Sequence, residues 1–562
     1  MAARAMWRQL STVVPRPSAT KAPSKTVPEL RLRVPSGIRQ KSGVVSTIFN
    51  TKLAELEAWI VKNSSWLALG IIAAAFTVRL AYSGYCYLNP DEAAGFDAAR
   101  PRSWIETYEA SLLLTHPPLF ILVLHGILFL GRTELILRLP SLIGGTAALW
   151  FAFAWMRRTL GEIPAIAGLA FMALSPAAIS AATEVRQYGL LLCFVCGALY
   201  ATERAFTKRS TNWTIIQGLF LLCALLEHYT AIVVLLSLGL YILLRSFLDG
   251  VPRRILFTIG VSQFVLATVL AWLYFGHVRG SIPFGPGASM DYLRNYYYAE
   301  GRETPLGFAW RALSGTFTYA VGPRRLAFLC MLVFLVGLAA LLAGRTKARR
   351  LLALLIVSPF AVGFAAAIFQ VFPFAGSRHQ IYLLPFLAAG ISAALACLQR
   401  GRAVPLLLLG VVVAPLWMSR AALDNNRRAL PIRDMTAAIE YVKRMIPRGA
   451  ALFVDYETRE VLRYYLARND KSLDTLHYKG GAQEWFGGYR VVVPRKYVWA
   501  FPADDVLEQV NESARALGAP PGDPLWIVSS AWLEPSLASR LPAGADRNSK
   551  EFGRISVIQT SR

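Results

Sequence analysis

"WLALGIIAAAFTVRLAYSGY", residues 66–85, is an apolar run broken by one charge, Arg79, and it leads directly into "CYLNPDEAAGF", residues 86–96, where two acids stand side by side. About twenty residues of α-helix rise ~30 Å, the thickness of a bilayer's hydrocarbon layer, so the first stretch reads as a membrane-crossing helix. Runs of this kind recur to residue 419. The chain is 55% hydrophobic and only 17% charged over 562 residues, more apolar sequence than a single soluble core absorbs. The expected fold is a polytopic α-helical membrane protein embedded in a lipid bilayer, and the acid pair lies at the mouth of its first helix.

A formal charge of +25 suggests nucleic acid until the positions of the charges are considered. Residues 1–50 hold nine Lys and Arg against one acid, Glu29, with Pro and Ser scattered among them and no apolar core of signal-peptide length. They read as a disordered basic cytoplasmic tail that extends to residue 62. The remaining basic groups cluster between apolar runs, at Arg157-Arg158, Lys208-Arg209, Arg245 with Arg253-Arg254, "RTKARR" (345–350) and Arg400 with Arg402. Retention of Lys and Arg on the cytoplasmic side explains this spacing, and no nucleic-acid partner is expected. Two crossings between successive clusters give about eleven spans, near 65–85, 139–156, 162–182, 188–205, 213–228, 229–247, 255–275, 324–343, 351–371, 380–398 and 404–419. The run "PPLFILVLHGILFLG" (117–131) reads as a short interfacial or re-entrant helix, because a crossing there would invert every later cluster. Arg79 is expected to snorkel outward.

Beyond residue 420 the composition becomes that of a soluble domain. "DMTAAIEYVKRMIP" (434–447) and "DYETREVLRYYLARND" (455–470) carry helical spacing, and "AALFVDY" (450–456), "YRVVVPRKYVWAF" (489–501), "PLWIVSSAW" (524–532) and "GRISVIQ" (553–559) read as buried strands. An α/β domain over 421–562, on the extracytoplasmic side, follows. It holds no Gly-rich phosphate loop and no metal-spaced His/Cys set.

The same topology collects polar residues on the face opposite the basic clusters. Asp91, Glu92 and Asp97 stand in the first loop and His116 precedes the Pro pair; Glu184, Arg186 and Tyr188 lie in "SAATEVRQYG", Glu227 and His228 follow the fifth span, and Arg378 and His379 lie in "FAGSRHQIYLLPF". The connection 276–323 is the largest other loop on that face. Any chemistry should face outward.

Taken in order, "NPDEA" (89–93), "THPPLFILVLH" (115–125), "ELILRLPSLIGGTAALWFAFAWMRRTLG" (134–161), "ALSPAAISAATEVRQYGLLL" (173–192) and "SRHQIYLLPFLA" (377–388) resemble the polytopic GT-C glycosyltransferases that use a polyprenyl-phosphate sugar donor. Bacterial relatives of protein O-mannosyltransferases and of lipid A aminoarabinose transferase are the nearest in pattern. The resemblance implies an enzyme of the cell membrane, working on its extracytoplasmic side. It would move a sugar from a polyprenyl-phosphate-linked donor to a glycan, lipid or protein acceptor. Asp91 sits at the position of the family's loop-one acid and is the expected base, with Glu92 sharing the role or orienting the acceptor. Arg186, Arg378 and His379 are the expected donor-phosphate ligands, and His116, Glu184 and Tyr188 the expected sugar-binding or acceptor-binding groups. No cofactor and no metal site are expected, with dependence on a divalent metal left open. A membrane transporter or a non-catalytic component of envelope glycan assembly is the alternative reading. A transporter calls for ionisable groups near mid-membrane and paired repeats, whereas here the polar residues gather at one face.

Overall fold

The computed structural model describes residues 51–52, 54–101, 103–112, 114, 116–279, 293–396, 430–469, 474–478, 481–494, 525–530 and 546–560, with the isolated positions 508, 511, 512 and 515. Of two compact units, Met1–Leu53 contributes only the helical residues Thr51 and Lys52, and Ala54–Arg562 carries the elements of the fold. Most of the expected tail, residues 1–50, lies outside the described residues. Its last part departs from expectation, because residues 54–62 are helical and Asn63 continues them, its backbone and side-chain amides both donating to the Trp59 carbonyl.

Among the described residues fifteen helices follow in the membrane part: α1 (Ser64–Tyr85), α2 (Pro90–Ala99), α3 (Trp104–Leu112), α4 (Leu119–Ile127), α5 (Glu134–Leu160), α6 (Glu162–Leu174), α7 (Pro176–Thr183), α8 (Tyr188–Lys208), α9 (Thr211–Glu227), α10 (Ala231–Asp249), α11 (Arg253–Leu273, prolonged by a π-turn over Tyr274–Val278), α12 (Pro305–Val321), α13 (Arg324–Leu342), α14 (Lys347–Ile368) and, after a 3-10 turn at Arg378–Leu383, α15 (Leu384–Ala396). Among the described residues eight of these segments are long and apolar enough to cross a membrane, or nine with the bent pair α6–α7 as one span. Helix α9, at 17 residues, is shorter, and the expected span at 404–419 lies outside the described residues. The expected single span at 162–182 is broken by 59° where Pro176 opens α7. A proline cannot continue the hydrogen-bond ladder of α6 and is at home in a first turn. Ser175 fixes the break, its hydroxyl donating to the Ala320 carbonyl at 2.7 Å.

Helix α4 covers only nine residues, about 13 Å of rise and far short of a hydrocarbon layer. Helix α12 departs from the expectation of a loop over 276–323. Thr304 caps it by accepting from the Gly307 amide at 3.1 Å, Pro305 starts it, and Phe308, Ala312, Thr316 and Ala320 form its buried stripe. Arg79 also corrects its expectation: the side chain turns inward, 1% exposed, and Nη1 donates to the Gly145 carbonyl at 2.9 Å.

Small residues let α5 pack closely on α7 and α8. A methyl group on Gly145 would sit 2.5 Å from the Ala182 Cβ, and one on Gly189 would sit 2.4 Å from the Ser141 carbonyl oxygen. Ser141 then donates to the Arg186 carbonyl at 2.7 Å. This contact ties the turn between α7 and α8 to the start of α5.

The C-terminal domain is α16 (Ile432–Met445), α17 (Tyr456–Ala467) and strands β1 (Ala451–Val454), β2 (Asp474–Tyr478), β3 (Gly481–Phe486), β4 (Tyr489–Pro494), β5 (Leu525–Ser529), β6 (Asp546–Phe552) and β7 (Ile555–Thr560). The sheet order is β2-β3-β4-β1-β5-β7-β6, with β1 parallel to β4 and β5 and every other pair antiparallel. The four strands read from sequence are β1, β4, β5 and β7. The missed β6, "DRNSKEF", is a polar edge strand, the kind that discourages pairing between molecules. Helix α17 lies on α2. Leu88 N donates to the Tyr465 hydroxyl at 3.0 Å, the Tyr464 ring meets Phe96 edge-on at 5.1 Å, and the Tyr464 hydroxyl donates to the Arg132 carbonyl at 2.7 Å.

Candidate active site

The site is built on the first turn of α2. Asn89 caps it with a capping box, in which its side chain accepts from the Glu92 amide and its own amide donates to Glu92 Oε2, both at 2.9 Å; Pro90 takes the first helical position. Consecutive residues on a helix point about 100° apart, so Asp91 and Glu92 diverge. Glu92 turns inward, 1% exposed, and both its oxygens accept from Arg138 of α5 at 2.9 Å, while Oε1 also accepts from the Val185 amide at 2.8 Å. Arg138 spends its remaining donors on the carbonyls of Ser83 (2.6 Å), Cys86 (2.8 Å) and Tyr87 (3.2 Å). The expected role of Glu92 as a second base is therefore not what its surroundings favour. Its lone pairs are committed to fastening α2 to α5, α1 and the turn after α7.

Asp91 faces the other way, 27% exposed, and draws in two arginines from separate turns, that between α7 and α8 and that before α15. Arg378 Nη2 lies 2.6 Å from Oδ2, and Arg186 Nη1 lies 3.8 Å from Oδ1 and 3.5 Å from the Asp91 carbonyl. Arg186 Nη2 also donates to His116 Nε2 at 3.1 Å. Guanidinium nitrogens only donate, so Nε2 of His116 accepts and the ring is neutral. Burial and the charge of Arg186 hold the His116 imidazolium well below its ordinary range. All of the expected phosphate ligands meet here. Tyr188, 1% exposed, is their common floor, with Arg186 5.8 Å and Arg378 6.0 Å from its ring centroid and His379 edge-on at 6.4 Å.

His228 belongs to the same group, although sequence reasoning placed it outward without assigning it a role. Its ring lies 5.4 Å from His116, 5.6 Å from Tyr188 and 5.9 Å from His379. Nδ1 faces the Thr230 amide at 3.1 Å, which makes Nδ1 an acceptor and puts the proton on Nε2. Burial, then Arg186 and Arg378, push its pKa down to about 3. Among the described residues neither that Nε2–H nor the Tyr188 hydroxyl has a partner. Glu184, bonded by Ser180 at 2.6 Å, has its pKa raised by burial and by Glu92. Tyr319 of α12, which the sequence does not mark because its segment carries no clear span signal, lies within electrostatic reach of Glu184, Tyr188 and Arg378.

Two guanidinium groups, the Nε2–H of His228 and a buried phenol gathered around one carboxylate are groups whose chemistry suits a phosphate. Among the described residues no cluster of three His, Cys, Asp or Glu side chains suits a metal ion.

Residues 115–275 match the family described as dolichyl-phosphate-mannose-protein mannosyltransferase. Among solved structures the chain is similar to ArnT from Cupriavidus metallidurans bound to undecaprenyl phosphate, at 16% identity over 88% of this chain and 98% of that one, with a TM-score of 0.54. It is likewise similar to the apo state of the same protein, at 15% identity over 90% and 98%, with a TM-score of 0.50. No curated protein matches the sequence. The helical bundle, the C-terminal α/β domain and these likenesses together mark a multi-span membrane protein with the GT-C glycosyltransferase fold.

Proposed function

We propose that the protein is a membrane glycosyltransferase that moves a sugar from a polyprenyl-phosphate donor to an acceptor on the extracytoplasmic side, with Asp91 as general base. The observation that carries this reading is the convergence of Arg186 and Arg378, from distant parts of the sequence, on Asp91 of the first loop. The acceptor hydroxyl attacks the anomeric carbon, the bond from that carbon to the phosphate oxygen breaks, and the phosphate leaves with the electron pair. Asp91 takes the acceptor's proton. Charge growing on the leaving phosphate is stabilised by Arg186, Arg378 and the Nε2–H of His228, donors already oriented in a half-buried place. Arg378 also links the two halves of the reaction. A phosphate that takes up its donors competes with Asp91 for them and so releases the carboxylate to act as a base.

The family match and the undecaprenyl phosphate bound by a protein of similar fold support the donor class. The test is sugar transfer by the purified protein in nanodiscs from a synthetic polyprenyl-phosphate sugar. Asp91→Asn keeps the size but takes up no proton, so turnover should fall ~10²-fold or more while donor binding changes little. Near-parental turnover in Asp91→Asn would falsify the assignment.

A further inference from the structure

A third imidazole, His277, joins the two segments of chain that carry His116 and His228. The outer end of α11 widens into its π-turn, closed by the Arg279 amide donating to the Tyr274 carbonyl at 2.9 Å. Tyr274, Phe275 and Val278 of this turn are exposed, whereas His277 points inward and is 3% exposed. Its Nε2 lies 3.0 Å from the Leu114 carbonyl, and its Nδ1 meets the Tyr229 hydroxyl, the two rings 5.9 Å apart. A carbonyl only accepts, so Nε2 carries a proton, and in the neutral ring Nδ1 accepts from the tyrosine. Both ring nitrogens are thus spent on bridging.

The partners decide what the bridge does. Leu114 stands two residues before His116, and Tyr229 directly follows His228. The rings of His116 and His228 lie 5.4 Å apart, the first bonded to Arg186 and the second carrying the Nε2–H of the candidate phosphate site. Each bridged segment is also braced on its own side. The Leu114 amide donates to the Ser111 carbonyl at the end of α3, and the Ile232 amide of α10 donates to the Tyr229 carbonyl, both at 3.1 Å. Trp272 of α11 stacks on Tyr108 of α3, the rings 6.4 Å apart and 10° from parallel, so α11 holds this region at two points.

We propose that His277 is a positioning residue of the phosphate site: by bonding Leu114 and Tyr229 at once, it fixes the spacing of His116 and His228, and with it the places of the Arg186 guanidinium and the His228 Nε2–H. This rests on the phosphate reading above and adds to it the group that sets the distance between two of the site's donors. Donors oriented before a ligand arrives bind it without the cost of ordering them, so a residue that sets their spacing acts on affinity through them.

The test is equilibrium binding of undecaprenyl phosphate to the full-length protein in nanodiscs. His277→Leu fills the space but makes neither bond, and it should weaken binding about fivefold, the worth of one oriented hydrogen bond. His277→Gln, whose amide nitrogen donates and whose oxygen accepts, should recover most of that loss. On a His228→Ala background His277→Leu should cost less than about twofold, because the bridge then has no second donor to place. Should the Leu variant not fold, Tyr229→Phe, which removes one bond of the bridge and little volume, carries the same test with the same outcomes. Parental affinity in His277→Leu overturns the proposal and leaves the phosphate reading intact. An equal loss in both backgrounds also overturns it, since His277 would then support the fold alone. A Gln variant as weak as the Leu variant overturns bridging by hydrogen bonds. No binding by the parent protein sinks the phosphate reading and this proposal with it.

Discussion

At the residue scale, the division of labour between neighbours is set by direction more than by chemistry. Asp91 and Glu92 are both acids one peptide apart, yet one faces two arginines at the rim and the other is locked beneath. Arg378 holds the shortest contact to Asp91, so it is the donor-side residue whose loss should register most. Arg378→Ala should weaken undecaprenyl phosphate binding about tenfold or more, as loss of a charge-assisted pair in a half-buried site does, and Arg378→Lys should recover only part because it lacks the planar fork. His228→Ala should cost about fivefold, the worth of one neutral hydrogen bond. Equilibrium binding to each folded variant checks both, and parental affinity in Arg378→Ala and His228→Ala alike would mean that the phosphate sits elsewhere. The sequence marked Arg378 as a candidate because it follows an outward-going span. It could not mark His228 as a ligand, since the neutral tautomer depends on the Thr230 contact, which only the fold supplies.

At the element scale, α2 is a short helix held in place by its first turn. The signal was readable: Asn89 followed three residues later by Glu92, with Pro90 between, spells a capping box, and a cap turns its Glu back toward the helix start. What the sequence concealed was the partner. Arg138 lies inside an apolar run and looks like a membrane intruder until the fold gives it Glu92 and three carbonyls. The C-terminal strands are legible where they are buried and continuous, as in β1 and β5, and illegible where they are polar, as in β6. Arg138→Met strands the Glu92 charge in the interior and should destabilise the protein by about 3–5 kcal/mol, whereas adding Glu92→Gln to it should recover part of the loss. Glu92→Gln alone should lower thermal stability more than it lowers turnover of the surviving folded enzyme. Thermal denaturation in detergent beside single-turnover kinetics distinguishes this from a shared catalytic role, for which the turnover would fall first.

At the scale of the whole molecule, α17 packs the C-terminal domain on α2 of the membrane bundle, and the proposed reaction needs both on the extracytoplasmic side. A reporter active only outside the cytoplasm should therefore be active when fused after residue 562 and silent when fused near Arg349, within the basic run 345–350; the reverse pattern would turn the proposed site to the cytoplasm. The docking itself should carry a pH signature. Asp97 of α2 faces Glu460 and Arg463 of α17, with Arg463 Nη1 at 3.1 Å, and Arg100 of its own helix lies at 3.9 Å. Burial and the Glu460 carboxylate outweigh both arginines and push the Asp97 pKa up to about 7. A carboxyl raised in this way binds its proton more tightly in the folded state than in the unfolded chain. Its contribution to stability is complete below the ordinary carboxyl pKa of about 4 and is lost as the pH rises through about 7. The thermal midpoint of the parent should accordingly fall between about pH 4 and pH 7 relative to that of Asp97→Asn, whose amide does not titrate. Above that window the asparagine variant should be the more stable of the two, since it keeps a neutral group beside Glu460. Parallel pH profiles for the two proteins, followed by intrinsic fluorescence in detergent, would show that Asp97 and Glu460 meet without sharing a proton.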